Sequence, residues 1–149
     1  MYFYGYGVDR DTARGFGYLF HSAYSGHTSA KAALSDIYLD GDTYLGIEKN
    51  LEVAEKYAKE IITSDGEDWW ATKRLAQIAE ERGDEKRFFE YAQKSANFGN
   101  RIHQRNLGEI YQDGRCEIAK DLEKSKYWYT LAANQGDEKA RELLDGLNK

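Results

Sequence analysis

The sequence predicts an all-α protein, an α-α superhelix (right-handed solenoid) of about four paired-helix repeats with the first repeat incomplete. Three observations predict it. A phased pattern recurs, with a polar opener at Asp11, Asn50, Asp84 and Asp121 and an aromatic residue seven positions later at Tyr18, Tyr57, Tyr91 and Trp128. A mostly small apolar residue follows at Ala23, Ile62, Ala96 and Ala133, and a glycine closes each copy at Gly26, Gly66, Gly99 and Gly136. The intervals between openers are 39, 34 and 37 residues, and a period of about 34–40 residues marks a stacked array. Apolar residues also fall at helical i, i+3, i+4 spacing. Finally, the 149 residues contain no proline, which suits helices joined by short turns.

The array reads as a single repeat domain over residues 1–149, with units at about 1–26, 27–66, 67–99 and 100–136 and a capping helix at 137–149. In the first unit only Met1-Tyr2-Phe3-Tyr4 precede a loop, Gly5-Tyr6-Gly7-Val8, so there is no room for a first helix. A second helix is expected around Phe16, Leu19, Phe20 and Ala23. The first helix of the second unit carries Leu34, Ile37 and Tyr38 and stops at Gly41; about three extra residues then lie between Gly41 and Ile47. The third unit repeats the pattern as Leu75, Ile78 and Ala79 with Gly83 as its stop, and the fourth as Leu107, Ile110 and Tyr111 with Gly114. These spacings put each apolar set on one face. The small residues Ser35, Ala76 and Gly108 follow the leucines. A helical glycine costs about 1 kcal/mol relative to alanine, so Gly108 predicts a close helix approach. Each second helix starts at its opener, whose side chain can accept a free N–H of the first turn. The last helix presents Ala140, Leu143 and Leu144 inward, with Lys139, Arg141, Glu142 and Asp145 outward.

Composition narrows the function. Hydrophobic residues make up 41% and charged residues 32% of the chain, enough to bury a core while staying soluble. A net charge of −5 argues against a nucleic-acid surface. No run reaches the ~18 apolar residues of a membrane span, and the N-terminus lacks the basic start and apolar run of a signal peptide. The lone Cys116 excludes an intramolecular disulfide and reads as a loop cysteine, with Arg115 and Glu117 offsetting each other beside it. His21, His27 and His103 lie in different units without metal-ligand spacing. Gly5-Tyr6-Gly7 follows no strand and lacks the third glycine of a dinucleotide loop. No carboxylate pair, nucleophile–base set or cofactor motif is present, so the expectation is a non-enzyme with no cofactor and no metal.

The fourth unit, with Leu107-Gly108, Tyr111, Gly114, Ile118, Asp121, Lys124-Ser125, Trp128-Tyr129, Ala132-Ala133 and Gly136, resembles the Sel-one-like repeat family, a relative of the tetratricopeptide repeats. The first unit shows the family's loop as Gly5-Tyr6-Gly7-Val8 followed by Asp11. The third unit departs from the family by lacking the Gly-Val loop and contracting to a tetratricopeptide-like length. The resemblance implies an α-solenoid that binds proteins or peptides, and it supplies no catalytic residue. The disulfide-rich secreted relatives carry paired cysteines in each repeat, which this chain does not share.

In such helices, offsets of −5, −2, +2 and +5 from the core leucine face a concave groove. They select Asp36 and Leu39, then Trp70, Lys73, Gln77 and Glu80, then Ile102, Arg105, Glu109 and Gln112 as partner-binding residues. Trp69 and Trp70 follow Asp65-Gly66-Glu67-Asp68, and tryptophan is favoured at binding hot spots. Lys73 and Arg105, with Arg74 and Arg101, form a basic rim expected to meet acidic groups on a partner. His103 takes a small-residue position and is expected at an edge of the stack, within reach of the groove.

The incomplete first unit leaves its helix short of a packing partner. Either the chain is a fragment of a longer repeat protein, the preferred reading, or another chain covers this end, which would give self-association. The expected role is a scaffold or adaptor that binds a protein or peptide, without nucleic acid or membrane insertion. The alternative is a dedicated inhibitor, such as a bacterial immunity protein neutralising a toxin by tight binding. The expected compartment is the cytoplasm, or the periplasm if the chain is a fragment whose signal peptide lies upstream.

Overall fold

The computed structural model describes residues 10–149, with Arg10, Asp11, Ser64 and Asp65 described by their backbone alone. The Gly5–Val8 loop and the side chain of Asp11 lie outside the described residues. Among the described residues eight helices follow in order: α1 (Arg10–Tyr24), α2 (Thr28–Asp40), α3 (Leu51–Asp65), α4 (Trp69–Arg82), α5 (Glu85–Asn97), α6 (Arg101–Asp113), α7 (Leu122–Asn134) and α8 (Glu138–Leu147). Among the described residues there is no strand, only one isolated antiparallel bridge between Asp42 and Ile47. This is the all-α repeat architecture the sequence predicts. The chain divides into two compact units, Met1–Arg74 and Leu75–Lys149, with the boundary inside α4.

Three of the four polar openers cap their helices, whereas α1 already begins at Arg10, so the opener Asp11 lies inside its helix. Asn50 accepts from the Val53 N–H at 3.1 Å, Asp84 from Arg87 at 3.2 Å and Asp121 from Lys124 at 3.1 Å. The first helices α4 and α6 and the final helix α8 are capped in the same way, by Asp68 (Ala71 N–H, 2.8 Å), Asn100 (His103 N–H, 3.0 Å) and Asp137 (Ala140 N–H, 2.9 Å). Each bond satisfies one of the orphan amides of a helix start. The turns between successive pairs are all three residues long: 25–27, 66–68, 98–100 and 135–137. Inside a pair the connection varies, with ten residues at 41–50, two at 83–84 and eight at 114–121.

In the first unit, Phe16 and Ala23 of α1 pack with Ala30 and Leu34 of α2 and with Leu45 and Ile47 of the following loop. The extra residues of that loop make a small turn. Asp42 and Ile47 exchange backbone hydrogen bonds at 2.7 and 2.8 Å, and the Leu45 N–H donates to Asp42 Oδ1 at 3.0 Å. Ser35 is fully buried, and its hydroxyl donates to the Ala54 carbonyl of α3 at 2.8 Å.

In the second unit, the core joins Ala76 and Ala79 of α4 to Phe88, Ala92 and Ala96 of α5, to Leu107, Ile110 and Tyr111 of α6, and to Trp128 of α7. A further layer joins Tyr129, Ala132 and Ala133 of α7 to Ala140 of α8, with Leu143, Leu144 and Leu147 packed beside them. The α6–α7 contact is as close as Gly108 predicts: a Cβ there would overlap the Tyr129 ring. Ser125 adds a hydroxyl bond to the Gly108 carbonyl at 2.7 Å. The repeated aromatic position does not have one environment, since Trp128 is 8% exposed and Tyr18 is 69% exposed. Trp128 lies in a core built from four helices, whereas Tyr18 sits on the outward side of α1.

Candidate partner-binding surface

The first-helix residues selected by offset fall in both units, and each unit holds its own set. In the first unit, Asp36 is half-buried on α2 and Arg74 reaches it from α4, with Arg74 Nε 2.6 Å from Asp36 Oδ1. The guanidinium carbon of Arg74 also lies 5.5 Å from the centre of the Trp70 ring, a favourable cation–π arrangement. Trp70 is therefore half-buried under an arginine that is itself paired. Lys73 is half-buried. Trp69 is the more open indole, at 59% exposure. The sequence favoured its neighbour, because a −5 offset picks Trp70. Leu39, expected in the groove, is fully buried. It belongs to the interior, so no partner can reach it.

In the second unit, Gln77 is half-buried and Glu80 exposed on α4. Ile102 is 47% exposed at the start of α6, an apolar side chain left open to a partner. The rest of the α6 set is committed inward. Arg105 Nη1 donates to both carboxylate oxygens of Asp137, at 3.1 and 2.8 Å. Its Nε lies 3.7 Å from Glu109 Oε1, and Lys139 Nζ of α8 approaches the same oxygen at 3.8 Å. The Tyr129 hydroxyl donates to Gln112 Oε1 at 2.6 Å. Gln135 closes the neighbouring turn, donating to the Gln104 side chain at 2.7 Å and to the Gly99 carbonyl at 2.9 Å.

These bonds change the electrostatics expected of the rim. Arg74 and Arg105 already face carboxylates of their own unit, so a partner's acidic group would have to compete with Asp36 and Asp137. Burial pushes the Asp137 carboxyl up, but the Ala140 N–H and the Arg105 guanidinium, with help from Arg101, hold it below the usual carboxylate value. The Tyr129 hydroxyl is pushed up to about 12, first by burial and then by the nearby Glu109 carboxylate. Arg101 stays exposed at the start of α6, its Nη1 3.5 Å from the Gln135 carbonyl.

Two further expectations shift. His103 is buried, with Nδ1 2.7 Å from the Ser95 hydroxyl and its ring edge-on to Phe88; it ties α6 to α5 instead of reaching a groove. Cys116 is buried, and its thiol is pushed up by burial and then by Glu85, with Arg115 acting against them. The acidic neighbour that matters is Glu85, not Glu117. No helix among the described residues is long and apolar enough to cross a membrane.

The comparisons with known proteins agree with this geometry. The family model described as Sel1 repeat matches residues 1–27, 28–62 and 104–137. The stretch it leaves out contains α4 and α5, the pair joined by Gly83 and Asp84 alone. Over 89% of its length the chain superposes on 98% of a Sel1 repeat protein from Oxalobacter formigenes, with a TM-score of 0.69 and 34% identity. It also superposes, with a TM-score of 0.71 and 26% identity, on 28% of a protective antigen of uropathogenic Escherichia coli strains that displays an SLR fold, again over 89% of this chain. Among curated relatives it is 26% identical to the ERAD-associated E3 ubiquitin-protein ligase component HRD3A of Arabidopsis thaliana, and 30% identical to chitin synthase regulatory factor 3 of Schizosaccharomyces pombe. Both alignments take in 95% of this chain, but it spans only 22% and 16% of those relatives' lengths. Phased repeats, paired helices and matched structures lead to one conclusion: the chain belongs to the Sel1 repeat family.

Proposed function

We propose that the chain is a non-catalytic repeat module that binds a protein or peptide partner, as a scaffold or adaptor, through the exposed faces of its first helices. One observation carries this reading. Trp69 and Ile102 stand open while the charged residues of the same helices, Arg74 and Arg105, are held in internal ion pairs. Open apolar side chains supply the burial that drives association. Charged neighbours already fixed in place lose little conformational freedom when a partner arrives. Two relatives support the reading by their names, one a component of a ligase and the other a regulatory factor of a synthase.

Affinity capture with quantitative mass spectrometry tests it, using the wild type, Trp69→Ala and Ile102→Asp side by side. A specific partner should be recovered with the wild type and depleted about tenfold with at least one variant, as hot-spot truncations do. Equal recovery with all three would overturn the reading.

A further inference from the structure

A cleft of about 620 Å³ opens in the first unit between α1 and α3, with α2 contributing to its lining. None of the offset-selected residues lines it. Its size falls within the range of ligand-binding pockets, about 300–1,000 Å³. Phe20 and Tyr24 of α1 and Tyr57 of α3 supply ring surface. Tyr24 is 93% exposed at its edge, a large apolar area for a free helix to leave in water.

The charges in the cleft are unequal. Among the described residues Lys31 of α2 and Lys56 of α3 both line it, against one carboxylate, Glu60. Lys31 is buried along most of its length, and its ammonium meets Glu60 at 3.5 Å. That is longer than the roughly 2.7–2.9 Å of a direct charge-assisted bond. Lys56 lies 5.9 Å from the centre of the Tyr57 ring and makes no ion pair among the described residues. An ammonium held this loosely can take a second, closer carboxylate. The chain as a whole carries a net charge of −5, whereas the described lining of this cleft carries one net positive charge, although Lys56 also borders Glu52 and Glu55 on its other side.

We infer that this cleft is a docking site for an acidic, aromatic-containing segment of a protein partner, with a carboxylate between Lys31 and Lys56 and a ring against Phe20 and Tyr57. The inference rests on the reading that the chain binds proteins, but it assigns a different surface and a stated partner chemistry. The alternation of rings and ammonium groups matches alternating rings and carboxylates in the ligand.

Fluorescence anisotropy on the full chain tests this with a labelled peptide centred on glutamate–phenylalanine–glutamate and a twin in which glutamine replaces each glutamate. The acidic peptide should bind at least about tenfold more tightly than its twin, and Lys56→Glu should remove that preference. Lys56 is exposed, so the variant should keep the fold, and circular dichroism would check it. Amide shifts in an NMR titration should concentrate in α1, α2 and α3. Equal binding of the two peptides, an unchanged preference in Lys56→Glu, or shifts confined to α6–α8 would each overturn the cleft. If the cleft fails while Trp69→Ala or Ile102→Asp still loses its captured partner, the binding role stands without it. If the peptide binds as expected while those variants lose nothing, the first-helix surface fails and the cleft stands.

Discussion

The ring of Tyr129 lies across the backbone of Gly108 and fills the space that a Cβ would need. Tyr129 cannot step aside, because it is fully buried and its hydroxyl is held by Gln112. Alanine is the better helix former by about 1 kcal/mol, yet overpacking a fixed core costs about 1–3 kcal/mol. Gly108→Ala should therefore destabilise the chain by up to about 2 kcal/mol in urea unfolding. Gly146 of α8 has open space around its Cβ position, so Gly146→Ala should stabilise by roughly 0.5 kcal/mol. Opposite signs at the two glycines would confirm that contact, not propensity, decides at Gly108.

Asp137 serves two helices at once, capping α8 and receiving Arg105 from α6. Removing it should cost about 1 kcal/mol for the cap and about 1.5–3 kcal/mol for the charged bond. Asp137→Ala is accordingly expected to lose about 2–4 kcal/mol. The carboxyl is held below its usual value in the folded chain, so its contribution is present above the unfolded value near pH 4 and is lost as pH falls through the lower folded value. Melting temperatures measured from pH 6 down to pH 2 should fall less steeply for Asp137→Asn than for the wild type.

Tyr129 gives the opposite sign at the other end of the scale. Its hydroxyl is raised to about 12, so the folded chain favours the neutral phenol. That contribution is complete below the unfolded value near pH 10 and is lost as pH rises through about 12. In Tyr129→Phe the alkaline loss of stability should be shallower. At neutral pH the same variant should be weaker by about 1 kcal/mol, the worth of the lost bond to Gln112. An alkaline unfolding series followed by circular dichroism measures both effects.

The loop between α6 and α7 carries two consecutive non-glycine residues at positive φ, Cys116 at 57° and Glu117 at 60°. In the loop between α2 and α3, the residue just before the buried Ile47 is Gly46, with φ at 67°. Glu117, just before Ile118, takes a similar positive φ without glycine's freedom. Left-handed backbone costs an ordinary residue about 1–2 kcal/mol, partly offset by the extra entropy glycine loses on folding. Glu117→Gly should stabilise by about 0.5–1 kcal/mol, read as a higher urea midpoint at unchanged slope.

The repeat made the fold legible, and the reasons are local. Openers such as Asn50 and Asp121 act within three residues of themselves, and the i, i+3, i+4 leucine sets need only helical geometry. The caps Asp68, Asn100 and Asp137 of α4, α6 and α8 carry their own signal: each lies one or two residues beyond a glycine. The candidate site was less legible. An offset of five turns a residue about 140° from the core leucine, onto the border between the two faces. There Leu39 turns inward and Glu80 outward on the same count. The pairs that occupy the rim, Asp36 with Arg74 and Arg105 with Asp137, join residues more than thirty positions apart. Helical counting within one element cannot reveal them.

The unequal connections also say where this chain can grow. All four turns between pairs have three residues, and three of them end in the side chain that caps the next helix. A graft there would shift that cap out of register. Inside the pairs, connections of ten, two and eight residues coexist in one chain, so length has already been accommodated at that end. A foreign peptide spliced beside the exposed Tyr44, in the longest of them, should be carried as cargo by an otherwise unaltered scaffold. The same peptide placed between Phe98 and Asn100 should separate the helices it was meant to decorate.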